Sequence, residues 1–277
     1  MEAKSLPFFT DTHAHLASSR FSDGIEPILE RARKAGVGRI LSISCDEEDV
    51  AANLKLSALH PGVFATAGVH PCYVHEVGGA DWPERMRALA TRSEIVAIGE
   101  IGLDFYHPPQ DGGSVDAWRT RQHEVFEAML QLAADLAKPV VVHQRESGPE
   151  VLAVLARFPT VRAVLHCFTG GPTEAEKALA AGHWLSFTGV LTYPKSTEIR
   201  EAAALVPTDR ILLETDSPYL APIPFRGKSC EPAMVRQTAI TLAEVKGLSL
   251  DEIADLTSRN AERFFGLEGA SLLLAKE

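Results

Sequence analysis

The chain has 277 residues and is short of several things that would place it in other protein classes. No apolar run approaches the ~18 residues of a membrane span. The four cysteines, Cys45, Cys72, Cys167 and Cys230, form no CxxC pair and no zinc-finger spacing, which excludes a disulfide scaffold and a structural zinc knuckle. Positive charge is also scarce. Lysine and arginine total 27 against 37 acidic residues, a formal net charge of −10, so there is no overall basic footprint for holding duplex DNA non-specifically. A phosphate ligand would need local arginines or bound divalent cations. The opening "MEAKSLPFFTDTHAHL" lacks the charged and apolar regions of a secretion signal, and with unpaired thiols it leads to the expectation of a cytoplasmic protein.

What is present is enough apolar material, 45% of residues, for a sizeable core. Eight short runs rich in β-branched residues recur: "PFFTDTHAHL", "RILSISC", "VFATAGVH", "IVAIGEIGLD", "PVVVHQR", "AVLHCFTG", "WLSFTGVL" and "RILLETDSP". Several are apolar nearly throughout, as strands buried on both faces of a parallel sheet must be. Between them lie amphipathic stretches such as "IEPILERARKAG" and "AWRTRQHEVFEAMLQLAADLAK". Eightfold alternation predicts an α/β fold, a (β/α)₈ TIM barrel, as a single domain over 1–277. Two further C-terminal helices are expected near 232–247 and 249–265, the second capped by Ser249 with Glu252 three residues on. The loop-like "HPPQDGGSVD", 107–116, follows the fourth strand and is expected at the rim as a flap.

Polar residues that a buried strand does not tolerate collect toward the C-terminal ends of these runs: His13, His15, Glu100, His143, His166 and Asp216. In barrel enzymes that end carries the active site. Burying each group alone costs on the order of a few kcal/mol, so a shared metal centre explains them together. Six ligands are too many for one tetrahedral ion and suit two divalent ions ~3.5–4 Å apart, with a carboxylate between them. Glu100, on a central strand, is the natural bridge. Nitrogen and carboxylate ligation is compatible with magnesium, manganese or zinc. Asp11, two residues below His13, is expected to orient a histidine ring, and Asp104 to cap or support. His60, His75, His107, His123 and His183 are expected at the surface, and the thiols as small buried hydrophobes. Arg145, two residues after His143, shares its face and is expected to reach the site and meet substrate. Phe105, Tyr106, Tyr219 and Phe225 are candidate rim aromatics.

The motifs "DTHAHL", "GVHP", "IGEIGLDFY", "VVHQR", "LHCFTG" and "ETDSPYLAP…RGK…EP" occur in the order found in TatD-type metal-dependent deoxyribonucleases, over residues 8–265. The chain resembles that family, and the resemblance implies a two-metal TIM-barrel hydrolase, typically a magnesium-dependent 3′ to 5′ exonuclease on single-stranded DNA. It implies that His13, His15 and Asp216 hold one ion and His143 and His166 the other. His70 would meet the scissile phosphate, and Arg226 and Lys228 the substrate backbone. Catalysis would rest on Glu100, Asp216 and His70. Three positions depart from the pattern: Phe225 replaces a histidine, Cys230 an asparagine and Ala17 an aspartate. None is a ligand position, so substrate preference is what they bear on. The competing readings are an amidohydrolase or aminoacyl-RNA deacylase on the same barrel, disfavoured because the fourth strand offers Glu100 and no bridging lysine, and a non-catalytic scaffold.

Overall fold

The computed structural model describes residues 7–21, 24–109 and 113–273. Strands and helices alternate: β1 Phe9–Ala14, α1 Ile25–Lys34, β2 Val37–Ser42, α2 Glu47–Leu59, β3 Val63–Ala67, α3 Trp82–Ala90, β4 Ile95–Asp104, α4 Val115–Leu136, β5 Val140–Arg145 and α5 Gly148–Leu155. Then follow β6 Ala163–Leu165, α6 Pro172–Ala180, β7 Trp184–Phe187, α7 Thr197–Leu205, β8 Ile211–Leu213, α8 Val235–Lys246 and α9 Leu250–Phe265. All eight strands are parallel neighbours in chain order in one sheet. Where β8 runs out, Asp216 N–H donates to the His13 carbonyl at 2.8 Å and His15 N–H to the Ser217 carbonyl at 2.7 Å, drawing the last strand back to the first. The result is the expected TIM barrel with added C-terminal helices.

Strand parity sorts the side chains into two layers. Leu41, Ala97, Val141, Val164, Trp184 and Leu212, from six different strands, join Phe264 and Phe265 of α9 in one buried cluster. Residues from six strands meet only inside the barrel, so this cluster is its interior, and the end of α9 packs into it with Trp184 and Phe264 ring centroids 5.1 Å apart. Their immediate neighbours, such as Ile40, Val140, Val142 and Leu213, belong to the larger core outside the barrel, against the helices. Two residues further along each strand, the inward direction of Val141 becomes His143 and that of Val164 becomes His166. An apolar floor therefore supports a polar layer at the C-terminal mouth.

The capping pattern of α9 is as the sequence predicts: the Ser249 side chain accepts from Glu252 N–H while Glu252 returns to Ser249 N–H at 2.8 Å. Of the rim loop 107–116, residues 110–112 lie outside the described residues. No described helix is long and apolar enough to cross a membrane. His183, expected at the surface, is only 7% exposed, because the chain turns into β7 directly after it and buries the ring.

Because Phe264 is fully buried in the interior cluster, Phe264→Ala is expected to cost ~3–5 kcal/mol in denaturant unfolding, whereas Leu59→Ala at a largely exposed helix end changes stability by less than about 0.5 kcal/mol.

Candidate metal centre

Glu100 organises the mouth. It is 2% exposed, and its two carboxylate oxygens face different partners. Oε2 lies 3.4 Å from His13 Nε2 and 3.9 Å from His15 Nε2. Oε1 lies 2.8 Å from His143 Nδ1 and 2.7 Å from His166 Nε2. Asp216 completes the first group, its Oδ1 standing 3.6 Å from His13 Nε2 and 3.4 Å from His15 Nε2. All six residues singled out in the sequence as ligands thus converge.

Backbone close approaches bring Glu100 there. A Cβ on Gly68 would stand 2.4 Å from the Gly99 carbonyl carbon, so only glycine lets the end of β3 pass this close to the Gly99–Glu100 peptide. Gly102, at φ +146°, is pressed against His143, whose carbonyl oxygen would lie 2.0 Å from an added Cβ. These contacts explain the glycines of "GVH" and "GEIG". Asp216 sits at φ +59°, a left-handed conformation that aspartate tolerates better than most residues.

The spacing of the inward atoms fits cation binding. Ligands tetrahedrally placed 2.0–2.2 Å from an ion stand about 3.3–3.6 Å from one another. His13 and His15 Nε2 are 3.2 Å apart, and their separations from Glu100 Oε2 and Asp216 Oδ1 run from 3.4 to 3.9 Å. In the second group His143 Nδ1 and His166 Nε2 are 3.4 Å apart across the Glu100 oxygen. Nitrogen atoms facing nitrogen atoms at these distances leave a lone-pair repulsion that a cation or a proton must relieve. The outer nitrogens of the second pair are held by carboxylates as in metal sites, whereas His13 Nδ1 is buried without a hydrogen-bond partner among the described residues. His143 Nε2 meets Asp104 Oδ2 at 3.1 Å, and His166 Nδ1 meets Glu214 Oε1 at 3.2 Å.

Charge follows the same plan. Burial opposes ionisation of Glu100, yet the surrounding histidines, His166 foremost, hold its carboxyl well below the usual range. Burial likewise works against a protonated His166, but Glu100 and Glu214 outweigh it and raise its pKa well above the ordinary value. Glu100 is therefore anionic, and a bound cation would replace protons on the histidines. His70 is different. Its Nδ1 accepts Cys72 N–H at 3.1 Å, which leaves the hydrogen of the neutral ring on Nε2, 3.6 Å from Glu100 Oε1. Burial pushes its pKa down to about 3, so it enters the site as a neutral donor.

Several expectations need correction. Asp11 does not orient a histidine ring: its carboxylate clamps Thr215, accepting from the hydroxyl at 2.6 Å and the amide at 2.9 Å, and receives only the backbone N–H of His13 at 3.3 Å. It ties β1 to the turn that carries Asp216. His107 is at the surface as expected, half-exposed, with its Nδ1 2.8 Å from Asp104 Oδ2. Of the thiols expected as buried hydrophobes only Cys230 is buried; Cys45, Cys72 and Cys167 are half-buried, with Cys45 Sγ 3.7 Å from His15 Nδ1 and Cys72 Sγ 3.8 Å from Asp104. Phe105 packs against the core under the Arg119 guanidinium rather than presenting a free face. Glu214 was missed as a site residue. Parity would have found it and Cys45, since Glu214 continues the inward direction of Leu212, and Cys45 that of Leu41 and Ile43.

The charged residues expected to meet substrate stand at the rim. Arg145 and Arg226 are exposed, their guanidinium carbons 4.2 Å and 4.3 Å from the ring centroids of Tyr106 and Tyr193. Lys228 is exposed near Phe225, at 5.9 Å.

A TIM barrel with a histidine and carboxylate cluster at its C-terminal mouth has the architecture of metal-dependent barrel hydrolases. The model of the family described as TatD related DNase matches residues 10–266, and the chain belongs to that family. It is 35% identical over 270 residues to the uncharacterized metal-dependent hydrolase YcfH of Escherichia coli K12, covering 96% of this chain and 98% of that one. It is 36% identical over 265 residues to the 3′-5′ ssDNA/RNA exonuclease TatD of Erwinia tasmaniensis, covering 93% and 99%. Among solved structures, YjjV, a TatD homolog from Escherichia coli K12, superposes with a TM-score of 0.86 at 29% identity, covering 95% and 99%.

Since Glu214 fixes His166 from behind, Glu214→Gln is expected to weaken divalent-ion affinity by roughly 10–100-fold, read by competition with a chromogenic chelator.

Proposed function

We propose that this chain, as one domain over 1–277, is a divalent-cation-dependent phosphodiesterase that removes nucleotides from the 3′ end of single-stranded DNA. The observation that carries the reading is the two-sided Glu100 carboxylate, with a histidine pair at each oxygen. His13, His15, Asp216 and Oε2 of Glu100 would hold one ion; His143, His166 and Oε1 would hold the other. Magnesium or manganese suits this mixed donor set, and zinc is accommodated by it. When bound, two such ions supply Lewis acidity, easing proton loss from water and neutralising phosphate charge.

The protein groups do the rest. Asp216 orients the attacking water and accepts its proton. The Nε2–H of His70, neutral because burial keeps its pKa near 3, donates to a phosphate or leaving oxygen. Arg145, Arg226 and Lys228 give the rim the positive charge that the chain as a whole lacks. With a net charge of −10, the few phosphates of a strand end are a better match than a long duplex. The name of the Erwinia relative supports a single-stranded substrate. Four free thiols are in keeping with a cytoplasmic enzyme. Glu100 at the position between the two groups favours phosphodiester over amide chemistry.

The test is digestion of single-stranded DNA labelled at its 5′ end. Shortening from the 3′ end is expected with magnesium or manganese, abolished by chelator and reduced at least roughly a hundredfold in Glu100→Ala. An equally active Glu100→Ala enzyme would contradict the scheme.

A further inference from the structure

The chain contains four tyrosines, and every one lies on a loop that follows a strand at the C-terminal mouth: Tyr73 after β3, Tyr106 after β4, Tyr193 after β7 and Tyr219 after β8. Two of them touch residues of the centre. Tyr73 N–H donates to the His70 carbonyl at 2.8 Å and its ring meets the His70 ring edge-on, centroids 6.1 Å apart. Tyr219 N–H donates to the Asp216 carbonyl at 2.8 Å and its ring meets His15 edge-on at 5.9 Å. Each is thus fixed by a tight turn that begins on a site residue. Tyr73 is 38% and Tyr219 43% exposed, unusual for large rings braced against a buried cluster. Behind Tyr219, the Arg20 guanidinium carbon lies 4.8 Å from the ring centroid, bringing a cation to the same place.

Rigid, partly exposed rings beside a phosphate-cleaving centre offer faces on which an unpaired base stacks, and stacking needs no sequence readout. A base within a duplex cannot reach them without unpairing. We propose that Tyr73 and Tyr219 form a base clamp for the 3′-terminal nucleotide, seating its sugar-phosphate at the centre, with Arg20 steadying Tyr219. The clamp rests on the phosphodiesterase reading and deepens it, by making the enzyme recognise a nucleobase as well as a phosphate.

The probe is binding rather than turnover. Manganese-loaded enzyme is titrated calorimetrically with thymidine 5′-monophosphate and with 2-deoxyribose 5-phosphate, which carries the same phosphate and no base. The nucleotide is expected to bind about tenfold or more tightly. That ratio should collapse toward one in the Tyr73→Leu, Tyr219→Leu double variant and be retained when both are replaced by phenylalanine. Equal affinities in the wild type, or an unchanged ratio in the leucine variant, would overturn the clamp. Should the double variant fail to fold, the wild-type ratio and the two single leucine variants decide. Absence of 3′-end shortening in the DNA digestion would count against the nuclease reading separately, since the binding ratio is read without cleavage.

Discussion

Everything at the mouth of this barrel depends on one buried carboxylate that cannot be satisfied by a single partner. Glu100 is enclosed by five histidine rings that approach its two oxygens, His13 and His15 at one and His70, His143 and His166 at the other, with Asp216 close beside the His13 and His15 pair. Leaving that group of lone pairs without positive charge would cost several kcal/mol, so the fold makes sense only with cations or protons among them. The rest of the structure serves this arrangement: glycines where β3 and β5 crowd β4, an apolar floor beneath, and the carboxyl groups of Asp104 and Glu214 behind the outward nitrogens of His143 and His166.

The barrel and the six converging residues were legible in the sequence because each leaves a strong local mark. A histidine or carboxylate at the end of an apolar strand contradicts its surroundings, and eight such strands in regular alternation leave little choice of fold. What was not legible depends on long-range contact. Asp11 looked like a histidine partner from its place on β1, but the Thr215 hydroxyl and amide, 204 positions away, claim its oxygens. Glu214 reads as the first letter of a motif whose obvious ligand is Asp216, and only its contact with His166 shows what it does. His183 sits between a helix and a strand, a place that reads as surface until the packing around β7 is seen.

The acidic net charge and the nucleic-acid reading are reconciled by where the positive charge lies. Arg20, Arg145 and Arg226 each pair with a tyrosine ring on the rim, within reach of a strand end but too few to hold a duplex along its length. One relative of similar length is named a metal-dependent hydrolase and another a 3′-5′ ssDNA/RNA exonuclease, while the loop bearing Phe225 and Cys230 is where this sequence departs from the motif pattern.

The measurement that bears most directly on the account is the number of divalent ions bound. Manganese titrated into metal-free protein, followed by calorimetry and by direct elemental analysis, is expected to saturate at two equivalents per chain, with both affinities falling together in Glu100→Gln because one carboxylate serves both positions. Saturation at a single equivalent, or a Glu100→Gln protein that still binds two ions as tightly as the wild type, would contradict it.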